Sequence, residues 1–196
     1  WAAGLPSRAS RSRAAPLVAG TGCRYTEPQG PCTFEIGGVV VKYGFVFPDN
    51  DVIEAILCAE EAEAAGWDGF FVWDGVWATD PWVTLGGIAA RTEHIRIGTM
   101  ITPVSRRRPW KLASETATVD RLSGGRLILS VGLGALDTGF EAFGEETGRR
   151  TRAELLDEGL AIITGLWRGQ PFEHHGKHYQ VEAKGLPITS PPPLQK

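Results

Sequence analysis

The 196-residue chain is 42% apolar and carries 23 acidic against 20 basic side chains, for a net charge of −3. It can therefore bury a core and lacks the basic footprint of a protein that coats nucleic acid. No apolar run approaches the roughly 20 residues that span a bilayer. Cys23, Cys32 and Cys58 stand at no metal-ligand spacing, and a reduced, cytoplasmic protein is expected.

Residues 1–38 open on Trp1 and are rich in Arg, Ala, Ser, Pro and Gly, without periodicity. Residues 1–26 are Arg-rich and free of acids, as targeting peptides are, but they lack an amphipathic pattern and a secretory apolar region. A disordered or non-native extension that packs on nothing is the expectation. Val39–Phe47 is then a β-branched and aromatic run closed by Pro48. Asp49, Asn50 and Asp51 offer helix caps, and Asp51 with Glu54 has capping-box spacing. Ile53, Ile56 and Leu57 predict the buried stripe of the helix, with Glu60, Glu61 and Glu63 in water, and Gly66 stops it. Gly69–Trp73 reads as a second strand ending at Asp74-Gly75. Asp80-Pro81 starts a helix that carries Trp82, Leu85, Ile88 and Ala89 to about Thr92. His94–Met100 is a third strand and Pro109–Leu122 a third helix, closed by Gly124-Gly125. Arg126–Val131 is a fourth strand running into Gly132-Leu133-Gly134. Thr151 and Glu154 form another capping box before Leu155, Leu156, Leu160, Ile163 and Trp167. Phe172–His175 and His178–Val181 read as a hairpin about Gly176-Lys177, and residues 188–196 are Pro-rich.

The strands start at intervals of about 25–32 residues with single helices between them, the βαβ rhythm. Near-continuous apolar strands are buried on both faces, so the sheet should be parallel. A barrel and a doubly wound open sheet both fit. In either fold ligands sit beyond the carboxyl ends of the strands, which selects Phe47-Pro48, Asp74–Trp77, Thr99–Pro103 and Gly132–Ala135. Asp74 can hydrogen-bond a cofactor ring, polarise a substrate, or cap a loop. Gly132 and Gly134 either admit a flat ring or phosphate or make a tight turn, and the third glycine of a dinucleotide fingerprint is missing. Arg106-Arg107-Arg108 can attract an anion or sit in solvent. His174, His175 and His178 crowd the hairpin with no carboxylate or Cys to complete a coordination set, so no metal is expected. Trp73, Trp77, Trp82 and Trp110 line a flat apolar pocket or pack in the core.

Several segments, in order, resemble the bacterial luciferase-like superfamily of flavin-dependent monooxygenases and deazaflavin-dependent oxidoreductases. They are Lys42–Pro48, Ala64–Asp74, Ile95–Thr99, Arg108–Ala113, Leu122–Leu127 and Val131–Gly134. The resemblance implies an α/β fold of TIM type, a (β/α)₈ barrel of which residues 39–196 hold the N-terminal half: about four β/α units plus an insertion hairpin. Four strands cannot close a parallel barrel, so the chain by itself is expected to be inactive. The implied cofactor is FMN, with coenzyme F420 as the alternative. Implied partners are a small-molecule substrate, a reductase supplying reduced flavin and, at full length, a second copy in a homodimer. Nucleic acid and membranes are not among them. The implied contacts to the ring region are Asp74, also the catalytic candidate, with Gly75, Thr99, Met100, Thr102, Gly132, Leu133 and Gly134. Many members carry His where this chain has Gly75, and sugar-phosphate dehydrogenases carry Glu where it has Ala135, so neither a His acid there nor sugar-phosphate oxidation is implied. A non-prolyl cis peptide behind the ring is expected at Thr99–Met100. A non-catalytic flavin-binding relative is the other reading.

Overall fold

The computed structural model describes residues 34–36 and 39–184. The run Val39–Phe47 does not form one strand. β1 (Phe34–Ile36) and β2 (Val39–Val41) pair antiparallel, and β3 (Gly44–Val46) then joins a different sheet. The turn-off is at Tyr43, whose N–H donates to Asp68 Oδ2 at 2.8 Å and whose carbonyl accepts from the N–H of Asp68 at 2.9 Å. β1 falls inside the stretch that the sequence set apart as 1–38. The rest of that stretch lies outside the described residues, as does the Pro-rich run 188–196.

Helix α1 (Val52–Ala64) follows β3, then β4 (Gly69–Val72), α2 (Pro81–Arg91), β5 (Arg96–Thr99) and a short β6 (Thr102–Pro103). After a turn of 3₁₀ helix come α3 (Pro109–Leu122), β7 (Leu127–Ile128) and β8 (Val131–Gly132). The four-stranded sheet runs β3-β4-β5-β7, every pair parallel, with Gly44 opposite Gly69, Gly69 opposite Arg96 and Ile97 opposite Leu127. The fourth strand breaks after Ile128 and resumes as β8, which pairs with β6. Two 3₁₀ turns lead to α4 (Arg149–Trp167), and β9 (Phe172–His175) with β10 (Gln180–Ala183) closes the described chain as an antiparallel hairpin. Each helix packs against the next in sequence, the arrangement that successive right-handed crossovers give. Among the described residues no helix is long and apolar enough to cross a membrane.

The core lies between sheet and helices, centred on Phe70, Ile97, Leu85, Ile88, Leu112, Ile162 and Ile163. Three helix readings need correction. On α1 the buried face is Ala55, Ala59 and Ala62, while Ile53 is 64% and Leu57 50% exposed. Small alanines let the helix axis sit close to the sheet, which turns the large residues outward. Nor is Glu63 a solvated charge. Its carboxylate accepts the N–H groups of Glu93, His94 and Ile95 at 2.9–3.2 Å. Burial pulls its pKa up, but these bonds outweigh burial and lower it. The capping box at Thr151 is also absent. α4 starts three residues earlier, with Gly148 as its N-cap, and Glu154 is engaged by the hairpin instead.

Arg126 ties the amino ends of the strands together. It donates to the carbonyls of Ala89, Thr92, Ile95 and Ser123 and to Thr92 Oγ1, at 2.7–3.1 Å. These bonds satisfy the last turns of α2 and α3, which no glycine could do alone.

Candidate functional site

At the opposite, carboxyl ends of the strands lies a cavity of about 700 Å³. The loop after β4 supplies one wall, from Trp73 to Ala78. Met100, Ile101 and Pro103 form the floor, and Leu133, Gly134, Ala135 and Thr138 the far wall, with Asn50 reaching it from the loop between β3 and α1. A cavity of this size and apolarity suits a flat organic group. Its Asn50 carboxamide has no protein partner among the described residues, so it is a free polar group at the rim.

The walls are held from behind. Asp74 is fully buried at its side chain, and its carboxylate is taken up by two guanidinium groups. Arg107 donates from Nε to Oδ2 at 3.0 Å and from Nη2 to Oδ1 at 2.8 Å. Arg106 Nη2 donates to the Asp74 main-chain oxygen at 2.7 Å and to Oδ1 at 3.2 Å. Burial pushes the Arg106 pKa down, against the attraction of Asp74. Burial pulls Arg107 the same way, but its hydrogen bonds to Asp74 and that charge outweigh burial and raise it. The far wall is held from α4 by Arg152, which is buried and donates from Nη1 to the carbonyls of Leu133 at 2.7 Å and Gly134 at 3.1 Å. Phe140 is sandwiched between the Arg106 and Arg152 guanidinium groups, 5.2 and 5.4 Å from its ring centre.

Of the residues singled out in the sequence, Asp74, Gly75, Met100, Leu133 and Gly134 line the cavity. Thr99 and Thr102 do not. Both are buried behind the floor, joined hydroxyl to hydroxyl at 2.9 Å. Gly132 also stands back from it. The space a side chain would need there is occupied by the Ile101 side chain. Gly134 has φ of +76°, and its close neighbours are Pro103 and Phe140, so the backbone itself demands glycine there, whereas at Gly132 only the end of the Ile101 side chain stands in the way. The non-prolyl cis peptide is present one residue later than expected, at Met100–Ile101. Met100 N–H still donates to Val72 O at 2.8 Å, so the strand ladder extends past Thr99 and the chain departs only after Met100.

The tryptophans separate. Trp73 and Trp77 line the cavity, and Trp77, 87% exposed, stacks on Phe143 at 6.2 Å. Trp82 is in the core, and Trp110 packs edge-on against Tyr179 at 6.3 Å. The hairpin histidines have carboxylates nearby, which the sequence did not reveal. His178 Nε2 lies 2.9 Å from Glu154 and His174 Nε2 3.3 Å from Glu158, both on α4. Glu158 also accepts the N–H groups of Lys177, His178 and Tyr179, which makes this pair of glutamates a clasp on the hairpin. Among the described residues no group of three or more His, Cys, Asp or Glu is placed to hold a metal ion. Sequence reasoning missed Arg152, Phe140 and Asn50, and held Ile101 only as part of the rim segment Thr99–Pro103. Of the three, Asn50 carried a signal, its place in the loop after the first strand, and it was read there as a cap.

Comparison with known proteins agrees with this geometry. The chain is 33% identical over 153 residues to an F420-dependent glucose-6-phosphate dehydrogenase of Microbacterium testaceum, an alignment covering 69% of this chain and 42% of that protein. It is 30% identical over 119 residues to the oxygenase component of a flavin-dependent trigonelline monooxygenase of Acinetobacter baylyi, covering 61% of this chain and 32% of that one. Among solved structures, a coenzyme F420-dependent tetrahydromethanopterin reductase from Methanopyrus kandleri superposes with a TM-score of 0.66 at 25% identity, covering 74% of this chain and 45% of that chain. The FMN-bound oxygenating constituent of 3,6-diketocamphane monooxygenase from Pseudomonas putida shares the fold, with a TM-score of 0.64 at 20% identity over 72% of this chain and 43% of that chain. The chain thus spans less than half the length of these relatives and carries the first β/α units of their TIM-type barrel. The profile of the luciferase-like monooxygenase family matches residues 32–195, and the chain belongs to that family.

Proposed function

We propose that this chain supplies one side of the cofactor site of a flavin-dependent monooxygenase acting on a small organic substrate. The observation that carries the reading is the chemistry of the cavity. It is large, apolar and walled by aromatic side chains, and its one lining carboxylate, Asp74, is fully consumed by Arg106 and Arg107. Such a site has no free acid, base or nucleophile of its own among the described residues, and suits a reaction whose chemistry a bound cofactor supplies. Reduced FMN would supply the electrons with which O₂ oxygenates the substrate, the second oxygen atom leaving as water.

This chain's residues bind, orient and exclude water. Ile101 and Met100 form an apolar floor for the ring, with Thr99 and Thr102 stiffening the strand end behind it. Gly75, Leu133 and Gly134 offer main chain along its edges. Asn50 is the group able to hydrogen-bond ring or substrate. Asp74 acts as a positioning residue, since its oxygens are turned to the arginines and not to the cavity. A separate reductase would deliver the reduced flavin, in keeping with the similarity to the oxygenase component of a trigonelline monooxygenase.

Hydride transfer with F420 is the second reading, favoured by the 33% identity to an F420-dependent relative. Gly75 and Ala135 leave that reading without a side-chain acid beside the ring. Titration with reduced FMN and with reduced F420 separates the two. Tighter binding of FMN, with substrate-dependent O₂ uptake in a protein carrying this segment in a complete barrel, is expected. Preferential binding of F420 with no O₂ uptake would support the second reading instead.

A further inference from the structure

A second cavity, of about 480 Å³, lies on the other side of the Asp74 anchor, between the start of α3, α4 and the hairpin. Its character is the opposite of the first. Arg106, Arg107, Arg108, His178 and Tyr179 line it, with Glu145 as its one carboxylate. We propose that this cavity binds a small oxyanion group, a phosphate or a carboxylate.

Three observations support this. The first is charge balance. Arg106 and Arg107 are 8% and 19% exposed at their side chains and share one buried carboxylate. Glu115 approaches Arg107 only at 3.9 Å and is itself bound by Lys111 at 3.0 Å. Glu145 acts on Arg106 and Asp80 on Arg107, but neither is among their ion pairs, so two guanidinium groups share Asp74 as their one hydrogen-bonded carboxylate, an arrangement that favours a further counter-ion. The second is the presence of unused donors. Arg108 has no carboxylate partner among the described residues; its guanidinium rests over the Trp110 ring at 5.9 Å. Tyr179 packs edge-on against that same ring, and its hydroxyl has no protein partner. A guanidinium and a hydroxyl flanking one indole at the cavity wall are the donors an oxyanion needs. The third is α3, which begins at this cavity with Pro109 in its first turn and no side-chain cap, so the positive end of its dipole is free to add to the field. Because Arg106 and Arg107 hold Asp74 from this side, an anion here would also bear on the wall of the first cavity.

The test is calorimetric titration of the chain with inorganic phosphate, repeated with FMN and with riboflavin present. Saturable binding is expected, weakened about tenfold or more in Arg108→Ala/Tyr179→Phe and unchanged in Arg91→Ala, a surface arginine on α2 paired with Glu60. Arg108 is exposed and Phe keeps the Trp110 contact, so near-native melting of the double variant is the accompanying control. If FMN competes with phosphate and riboflavin does not, the anion is the tail of the cofactor. If neither competes, it is a separate anion. No phosphate binding, or equal binding by the double variant, would overturn the proposal without touching the assignment of the first cavity.

Discussion

Arg106 holds Asp74 twice with one nitrogen, its Nη2 reaching the main-chain oxygen at 2.7 Å and Oδ1 at 3.2 Å. With Arg107 on both carboxylate oxygens, the end of β4 is fastened to the loop before α3. Removing the charge by Asp74→Asn leaves two buried guanidinium groups facing a neutral amide. Breaking a buried pair from one side costs about 3–5 kcal/mol, and urea denaturation should show a loss of that order. A variant as stable as the wild type would mean that Asp74 is not an anchor.

Gly132 is predicted to act on the cavity through Ile101. A methyl group at residue 132 meets the end of the Ile101 side chain, which is flexible and can swing into the space above it. Gly132→Ala should therefore weaken flavin binding by about tenfold with little effect on folding. Gly132→Ala/Ile101→Ala should recover the loss. A double variant no better than the single one would show that the glycine serves something else.

Arg152 fixes the far wall from α4. Arg152→Ala removes donors from the Leu133 and Gly134 carbonyls, and hydrogen bonds to charged groups are worth about 1.5–3 kcal/mol. Amide exchange should accelerate over residues 133–140 more than elsewhere. Arg152→Lys should not restore protection, because a single ammonium cannot both reach the carbonyls and stack on Phe140. Uniform exchange across the chain would count against the local role.

Glu63 gives a pH dependence with a definite sign. Its carboxyl pKa is lowered in the fold, so its contribution is complete above the ordinary glutamate value and is lost as pH falls through the lowered one. Melting temperatures of the wild type and Glu63→Gln should differ at neutral pH and converge below about pH 4.3. A difference that persists undiminished into acid would contradict the assignment.

The sequence made the βαβ order, α3 and the rim segments legible, because continuous apolar strands and proline- or glycine-bounded helices are local signals. What it hid was long-range. The buried face of α1 is set by how near the sheet its alanines allow it, and hydrophobicity alone selected Ile53 and Leu57. Asp74 was recognisable as a strand-end carboxylate, but its partners lie 32 and 33 residues on, and no spacing rule pairs them. Arg152 reaches its carbonyls from inside a helix whose periodicity places it on the buried side only once the loop is folded beneath it. The glycines after the fourth strand stood out in the sequence with two readings, a ring contact or a tight turn; the groups pressing on them are Ile101, Pro103 and Phe140.

The central claim is that the apolar cavity at the strand ends receives the cofactor ring. Equilibrium titration of the chain with reduced FMN, beside the Ala135→Trp variant, tests it most directly. Ala135 is exposed on the cavity wall, so tryptophan there fills the space without disturbing the core. The account predicts saturable binding by the wild type, weakened about tenfold or more in the variant. Absence of binding, or binding that Ala135→Trp leaves unchanged, would contradict it.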